Sequence, residues 1–151
     1  IWTWKSTTYI IQDNLLQGVG IGDIREELKI KYKELGITDE SRNKLDSHQQ
    51  FLQTFATIGV FGFINLLLLV FYSVHLALVN LKRYRSDKKK YTIIFGAISG
   101  LITFYVHGLF NGFLDYDKMA ILVFGSLSIL LYYDLEFRKS RMDEIAINSN
   151  S

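Results

Sequence analysis

Three long apolar stretches dominate the chain. The first runs from about Thr54 to Leu81, with Asn65, His75 and Asn80 as its strongly polar interruptions. The second runs from about Tyr91 to Leu114 and contains His107 and Asn111, and the third runs from about Met119 to Tyr133. A helix needs roughly 20 apolar residues to cross the hydrocarbon core of a bilayer. The first two stretches meet that length without a charge; the third meets it only by recruiting residues at its ends. The pattern therefore predicts spans at about 54–81, 91–114 and 117–135. The expected fold class is an all-α membrane protein with three transmembrane helices and an additional helical segment, residues 1–50, outside the membrane.

The periodicity of residues 1–50 differs. "IWTWKSTTYIIQDNLLQ" reads as a helix carrying Trp2 and Trp4, a pair suited to a membrane interface. Gly18, Gly20 and Gly22 then alternate in "GVGIGD", which suits a tight turn with unusual backbone angles. A dinucleotide fingerprint is excluded, because no strand precedes it and Asp23 stands where a glycine is needed. Two readings of the turn remain open: a plain helix stop at Gly18, or a compact turn whose backbone approaches a ligand or another helix. Asp23 and Glu26 have the spacing of a capping box. Ile24, Leu28, Tyr32 and Leu35 fall on one helical face, and Gly36 supplies the stop. Ser47 and Gln50 form a second candidate capping box, which places His48 at the first helical position ahead of the first span.

Charge orients these elements. The net charge of +2 is too small to suggest nucleic acid, but its distribution is uneven. "KRYRSDKKK", residues 82–90, sets six cations against Asp87, and Arg138, Lys139 and Arg141 follow the third stretch. Short basic loops stay cytoplasmic. Residues 1–50 and 115–118 are accordingly expected outside, with 138–151 a cytoplasmic polar tail whose "AINSNS" end is expected to be disordered. Cysteine is absent, which excludes disulfides and thiolate chemistry. No cofactor or metal is expected.

The candidate chemistry lies at the outer end of the first span. A helix start has unpaired N–H groups and a positive dipole end, which disfavours imidazolium. His48 is therefore expected neutral at pH 7 and able to accept a proton. The same helix end, with Arg42 nearby in sequence, would attract an anion such as phosphate. Arg25 sits just after the glycine turn. His107 and Asn111 lie about one turn apart near the outer end of the second span, where polar groups face protein or water. They either line a cavity or bond between helices.

In order and spacing these pieces resemble the carboxy-terminal part of the O-antigen ligase and O-antigen polymerase family of bacterial membrane proteins. That family typically shows "NPLxGVGxG" and, further on, "HNxxLQxxxxxGxxG". Asn14, Gly18, Val19, Gly20 and Gly22 match the first motif; His48, Leu52, Gln53, Gly59 and Gly62 match the second. Leu15 stands in place of the usual proline, and Gln49 in place of the usual asparagine. The resemblance covers most of residues 1–135.

It implies a membrane glycosyltransferase that moves glycan from an undecaprenyl-pyrophosphate carrier to an acceptor hydroxyl, on lipid A core or on another glycan, in cell-envelope polysaccharide assembly. The reaction would face the periplasm of a multi-pass inner-membrane protein and need no nucleotide. It further implies that this chain, which opens on Ile1, is the C-terminal part of a larger multi-span fold whose N-terminal transmembrane helices complete the cavity. His48 would act as general base or orient the acceptor hydroxyl. Arg25, Arg42, Gln49, Gly20, Gly22, His107 and Asn111 are the candidate substrate contacts. The competing readings are a polymerase of the same family and a non-catalytic membrane subunit or fragment.

Overall fold

The computed structural model of the chain describes residues 2–37, 49–112 and 117–149. His48, Arg42 and Ser47 lie outside the described residues. What is described is helical: α1 (Trp2–Asp13), α2 (Ile24–Glu34), α3 (Gln50–Arg83), α4 (Lys88–Gly108) and α5 (Asp117–Ser149). Three helices, α3, α4 and α5, are long and apolar enough to cross a membrane. The protein is therefore an all-α membrane protein. The chain divides into two compact units, Ile1–Val70 with Tyr105–Asp117, and Phe71–Phe104 with Lys118–Ser151.

In the first unit, α1 and α2 fold onto the start of α3. Ile10 and Ile11 from α1, Ile24, Leu28 and Tyr32 from α2, and Ala56 from α3 form one buried cluster, flanked by Val19, Ile37, Leu52 and Phe55. The spacing of Ile24, Leu28 and Tyr32 puts them on a single face, as the periodicity requires. Leu35, expected on the same face, is exposed at the C-cap.

Gly36 ends α2 as expected. It adopts φ +65°. Its N–H donates to the Lys33 carbonyl at 3.1 Å and the Ile37 N–H to the Tyr32 carbonyl at 2.9 Å. These are the paired bonds of a Schellman stop. The Asp23–Glu26 capping box does not form. Asp23 has helical angles (φ −94°, ψ −15°) and makes no side-chain cap bond, whereas an N-cap residue needs an extended backbone to aim its carboxylate at the N–H groups.

In the second unit, buried residues repeat at helical spacing: Leu76 and Ala77 on α3, Ile94, Ala97, Ile98 and Leu101 on α4, and Val123, Leu127, Leu130 and Tyr133 on α5. Other positions on these helices expose Phe71, Leu78, Ile102 and Leu122, side chains suited to hydrocarbon. Asn80 is fully buried and its Nδ2 donates to the Leu130 carbonyl at 2.8 Å, tying α3 to α5. Asp134, also buried, accepts from Arg83 and, at 2.7 Å, from Arg138. Asp87, the single acid of the basic loop, caps α4: its Oδ1 accepts from the Lys90 N–H at 3.1 Å and its carbonyl from the Tyr91 N–H at 2.8 Å.

Two boundaries differ from expectation. α4 ends at Gly108, and residues 109–111 form a hydrogen-bonded turn rather than the last part of a span. α5 continues through the expected tail to Ser149. "RMDEIA" carries good helix formers, and a helix already nucleated in the apolar stretch extends at low cost.

Candidate functional site at the glycine turn

α1 stops at Asp13 because the chain turns. The Asn14 N–H donates to the Ile10 carbonyl at 3.0 Å, and the Gly18 N–H to the Asn14 carbonyl at 2.9 Å. The Asn14 side chain also donates to the Ile10 carbonyl, at 3.2 Å. Gly18 and Gly20 then adopt φ +68° and +97°, angles that disfavour any residue with a Cβ. Gly22 does not share this role. Its φ is not positive and a Cβ there meets nothing within 4 Å.

α3 breaks at the point where this turn meets it. Gly59 has φ +71° and ψ −165°, far from helical. A break leaves carbonyls and N–H groups without their intrahelical partners. The glycine turn takes them up. The Val19 N–H donates to the Ala56 carbonyl, the Gly20 N–H to the Thr57 carbonyl, and the Val60 N–H to the Leu15 carbonyl, each at 2.9 Å. The two backbones are in direct contact. A Cβ on Gly18 would lie 2.5 Å from the Thr57 carbonyl carbon, and one on Gly59 would lie 2.2 Å from the Leu16 oxygen. Phe55 and Phe63 stack across the break with ring centroids 4.8 Å apart. The broken helix therefore loses little hydrogen bonding, which is the condition for irregular backbone at the edge of a membrane.

The break divides α3 in two. Beyond Gly59, residues 60–83 form a rod of about 36 Å at 1.5 Å per residue, enough to cross the bilayer core. Before it, residues 50–58 form a separate short stub packed on α1 and α2 through Leu52, Phe55 and Ala56.

Gln49 stands at the start of the stub. The Gln49 carbonyl accepts from the Gln53 N–H at 3.0 Å, and the Gln49 side-chain oxygen accepts from the Leu52 N–H at 2.5 Å. Gln49 thus caps the described helix, which begins at Gln50; the expected start at His48 with its Ser47 cap lies outside the described residues. Gln50 is buried, and its Nε2 donates to the Thr54 hydroxyl at 3.2 Å. Thr57 donates its hydroxyl to the Gln53 carbonyl at 2.8 Å. These bonds fix the stub's orientation immediately after His48 in the chain.

The candidate contacts are unevenly distributed about this joint. Gly20 is part of it, and the Asp23 carboxylate lies over that glycine, 3.1 Å from where a Cβ would stand. Gln49 caps the stub. Arg25 is exposed on the first turn of α2, while ion pairs on that helix are made by Lys29 and Lys31. His107 and Asn111 are both exposed, joined by the Asn111 N–H donating to the His107 carbonyl at 2.9 Å. Among the described residues no hydrogen bond or ion pair joins these last three side chains to the glycine turn. No cluster of His, Asp and Glu able to hold a metal occurs among the described residues. The reading of residues alone missed Gly59 as a break. Its signal was a glycine inside an apolar helical run, in phase with no cap. No family model, curated protein or solved structure matches the chain.

Proposed function

We propose that the chain is the C-terminal part of a lipid-linked-glycan-dependent membrane glycosyltransferase. It would transfer glycan from an undecaprenyl-pyrophosphate carrier to an acceptor hydroxyl on lipid A core, with polymerisation onto another glycan as the alternative within the same chemistry. The observation that carries this reading is the interlock of "LLQGVG" with "FATIGV". These segments stand some 40 residues apart in sequence, carry the two motifs of the resemblance, and exchange three backbone hydrogen bonds. A purely topological role for the glycines would not require the turn and the span entry to be built as one rigid piece.

In this reading the joint supplies position and the segment before Gln49 supplies chemistry. His48 is the base, or the acceptor that orients the attacking hydroxyl. A positioned base typically contributes 10²–10⁴-fold. Arginine pairs bidentately with phosphate oxygens and stabilises the departing pyrophosphate; Arg25 and Arg42 are the arginines assigned to that task. Residues 1–50 face the periplasm of the inner membrane and the 82–90 loop the cytoplasm, following the charge asymmetry of the loops.

The test is glycan transfer in cells making the protein from its own gene with His48→Ala. Loss of transfer of at least 100-fold, with the protein present in the membrane at the parent's level, is the expected outcome. Normal transfer by that variant would end the catalytic assignment. Unlinked carrier-bound glycan accumulating as single repeat units would favour polymerase over ligase.

A further inference from the structure

The basic end of the second unit contains a groove of about 750 Å³ that plays no part in the proposed transfer. It is lined by Arg83, Leu135, Phe137, Arg138, Lys139, Arg141 and Met142. Four cations and three apolar side chains thus share one surface. Leu135, Arg138, Lys139 and Met142 stand at i, i+3, i+4 and i+7 on α5 and so fall on one helical face. Arg83, the last residue of α3, lines the same groove.

A buried carboxylate organises the cations. The Asp134 side chain is 6% exposed and holds Arg83 through one oxygen and Arg138, at 2.7 Å, through the other. The Arg83 guanidinium also lies over the Phe137 ring, 4.4 Å from its centroid. Each guanidinium carries five N–H donors, and Asp134 takes only part of that capacity. Two arginines are therefore preoriented with donors to spare, beside Lys139 and Arg141. Arg141 has only a loose contact with Glu144, at 3.6 Å. Positive charge exceeds negative charge around the groove.

We propose that this groove binds one anionic phospholipid, its phosphate held by Arg83, Arg138, Lys139 and Arg141 and its acyl chain laid along Leu135 and Met142. The occupant must carry both an acid and a hydrocarbon chain, because the cations stand directly beside exposed apolar side chains on helices that cross a membrane. Basic pockets at the ends of membrane helices suit such headgroups. A soluble phosphate would satisfy the arginines but leave Leu135 and Met142 in water. Asp134 is a positioning residue in this site, since it acts through the two arginines.

The experiment uses the full chain in a neutral detergent, with phosphatidylglycerol as probe and phosphatidylcholine as control. Native mass spectrometry counts retained lipid, and a fluorescent phosphatidylglycerol titration gives affinity. One retained phosphatidylglycerol per chain is expected, with phosphatidylcholine at least tenfold weaker. Arg138→Gln, Lys139→Gln and Arg141→Gln together should weaken phosphatidylglycerol at least tenfold. These three side chains are exposed, so the fold should survive, and unchanged helicity by circular dichroism checks it. Lys88→Gln with Lys89→Gln, exposed cations outside the groove, should change affinity less than twofold. The proposal is overturned by equal retention of the two lipids, by full affinity in the triple variant, or by an equal loss in the Lys88/Lys89 variant, which would mean diffuse charge alone. Displacement of phosphatidylglycerol by millimolar glycerol phosphate would overturn it too, by showing that the headgroup alone suffices.

Discussion

Gly59→Ala is the sharpest perturbation of the joint. The residue's φ of +71° with ψ −165° lies in a region open essentially to glycine alone, and holding another residue there costs about 1–3 kcal/mol. The methyl group adds a steric conflict. It would stand 2.2 Å from the Leu16 oxygen, 2.5 Å from the Leu16 carbonyl carbon and 2.8 Å from that of Gln17, all backbone atoms that cannot rotate away. The chain has one escape. α3 can straighten through residue 59, restoring its own i→i−4 bonds and gaining about 1 kcal/mol of helix propensity for alanine over glycine. Straightening expels the glycine turn and removes the three cross-bonds from Val19, Gly20 and Val60, each worth about 0.5–1.5 kcal/mol net. The local cost is therefore about 0.5–3.5 kcal/mol, while the membrane rod is spared. Hydrogen–deuterium exchange in detergent reads this directly. The amides of Val19 and Gly20 should lose protection by roughly 2- to 300-fold, at about 1.4 kcal/mol per tenfold, with α5 unchanged. Gly18→Ala should act similarly, because its Cβ meets the Thr57 carbonyl carbon at 2.5 Å. Gly22→Ala, with open space around it, should not. Parent-like protection at Val19 and Gly20 in Gly59→Ala, or equal damage from Gly22→Ala, would refute the interlock.

Two further outcomes are expected. Lys31 is bonded to Glu34 at 2.9 Å and to Asp13 at 3.0 Å, and these carboxylates hold its ammonium above the ordinary lysine range. A raised lysine stabilises the fold fully below its unfolded value of ~10.4 and loses that contribution as pH rises through the higher folded value. Lys31→Met should therefore remove part of an alkaline decline in melting temperature above about pH 10.5. The effect should be less than about 1 kcal/mol, because both carboxylates are largely exposed; an identical alkaline limb in parent and variant would contradict it. Orientation is testable by single cysteines, since these 151 residues carry none of their own. In intact cells an impermeant maleimide should label Lys33→Cys and spare Ser86→Cys, and the reverse pattern would invert the topology.

How far these features were legible in the sequence depended on whether side chains or backbone decided them. The three spans are a property of side-chain hydropathy, so length and pattern located them. The stop at Gly36 was legible for the same reason, since a glycine after a finished amphipathic face has one common use. Capping was less legible. Asp23 had the right neighbours for a capping box, but its backbone angles are set by the turn that Gly18 and Gly20 make, and those angles turn its carboxylate elsewhere. Gln49, a weaker capping type by preference, caps the stub because its longer side chain reaches the Leu52 N–H.

The joint itself is made almost entirely of main chain. Its donors and acceptors are those of Leu15, Val19, Gly20, Ala56, Thr57 and Val60, groups that nearly every residue carries. Sequence shows such a contact only where a side chain must be missing, as at Gly18 and Gly59. That also sets the kind of function the joint can have. Its rigidity comes from main-chain groups that do not titrate. Substitutions at its glycines should therefore lower any activity of this end of the protein by misplacing the stub, at every pH alike. Loss of a base would instead act in a manner that follows protonation. A pH profile of transfer, parallel to the parent's in Gly59→Ala and altered in shape in His48→Ala, separates positioning from chemistry. Parallel profiles in both variants would leave His48 with positioning alone.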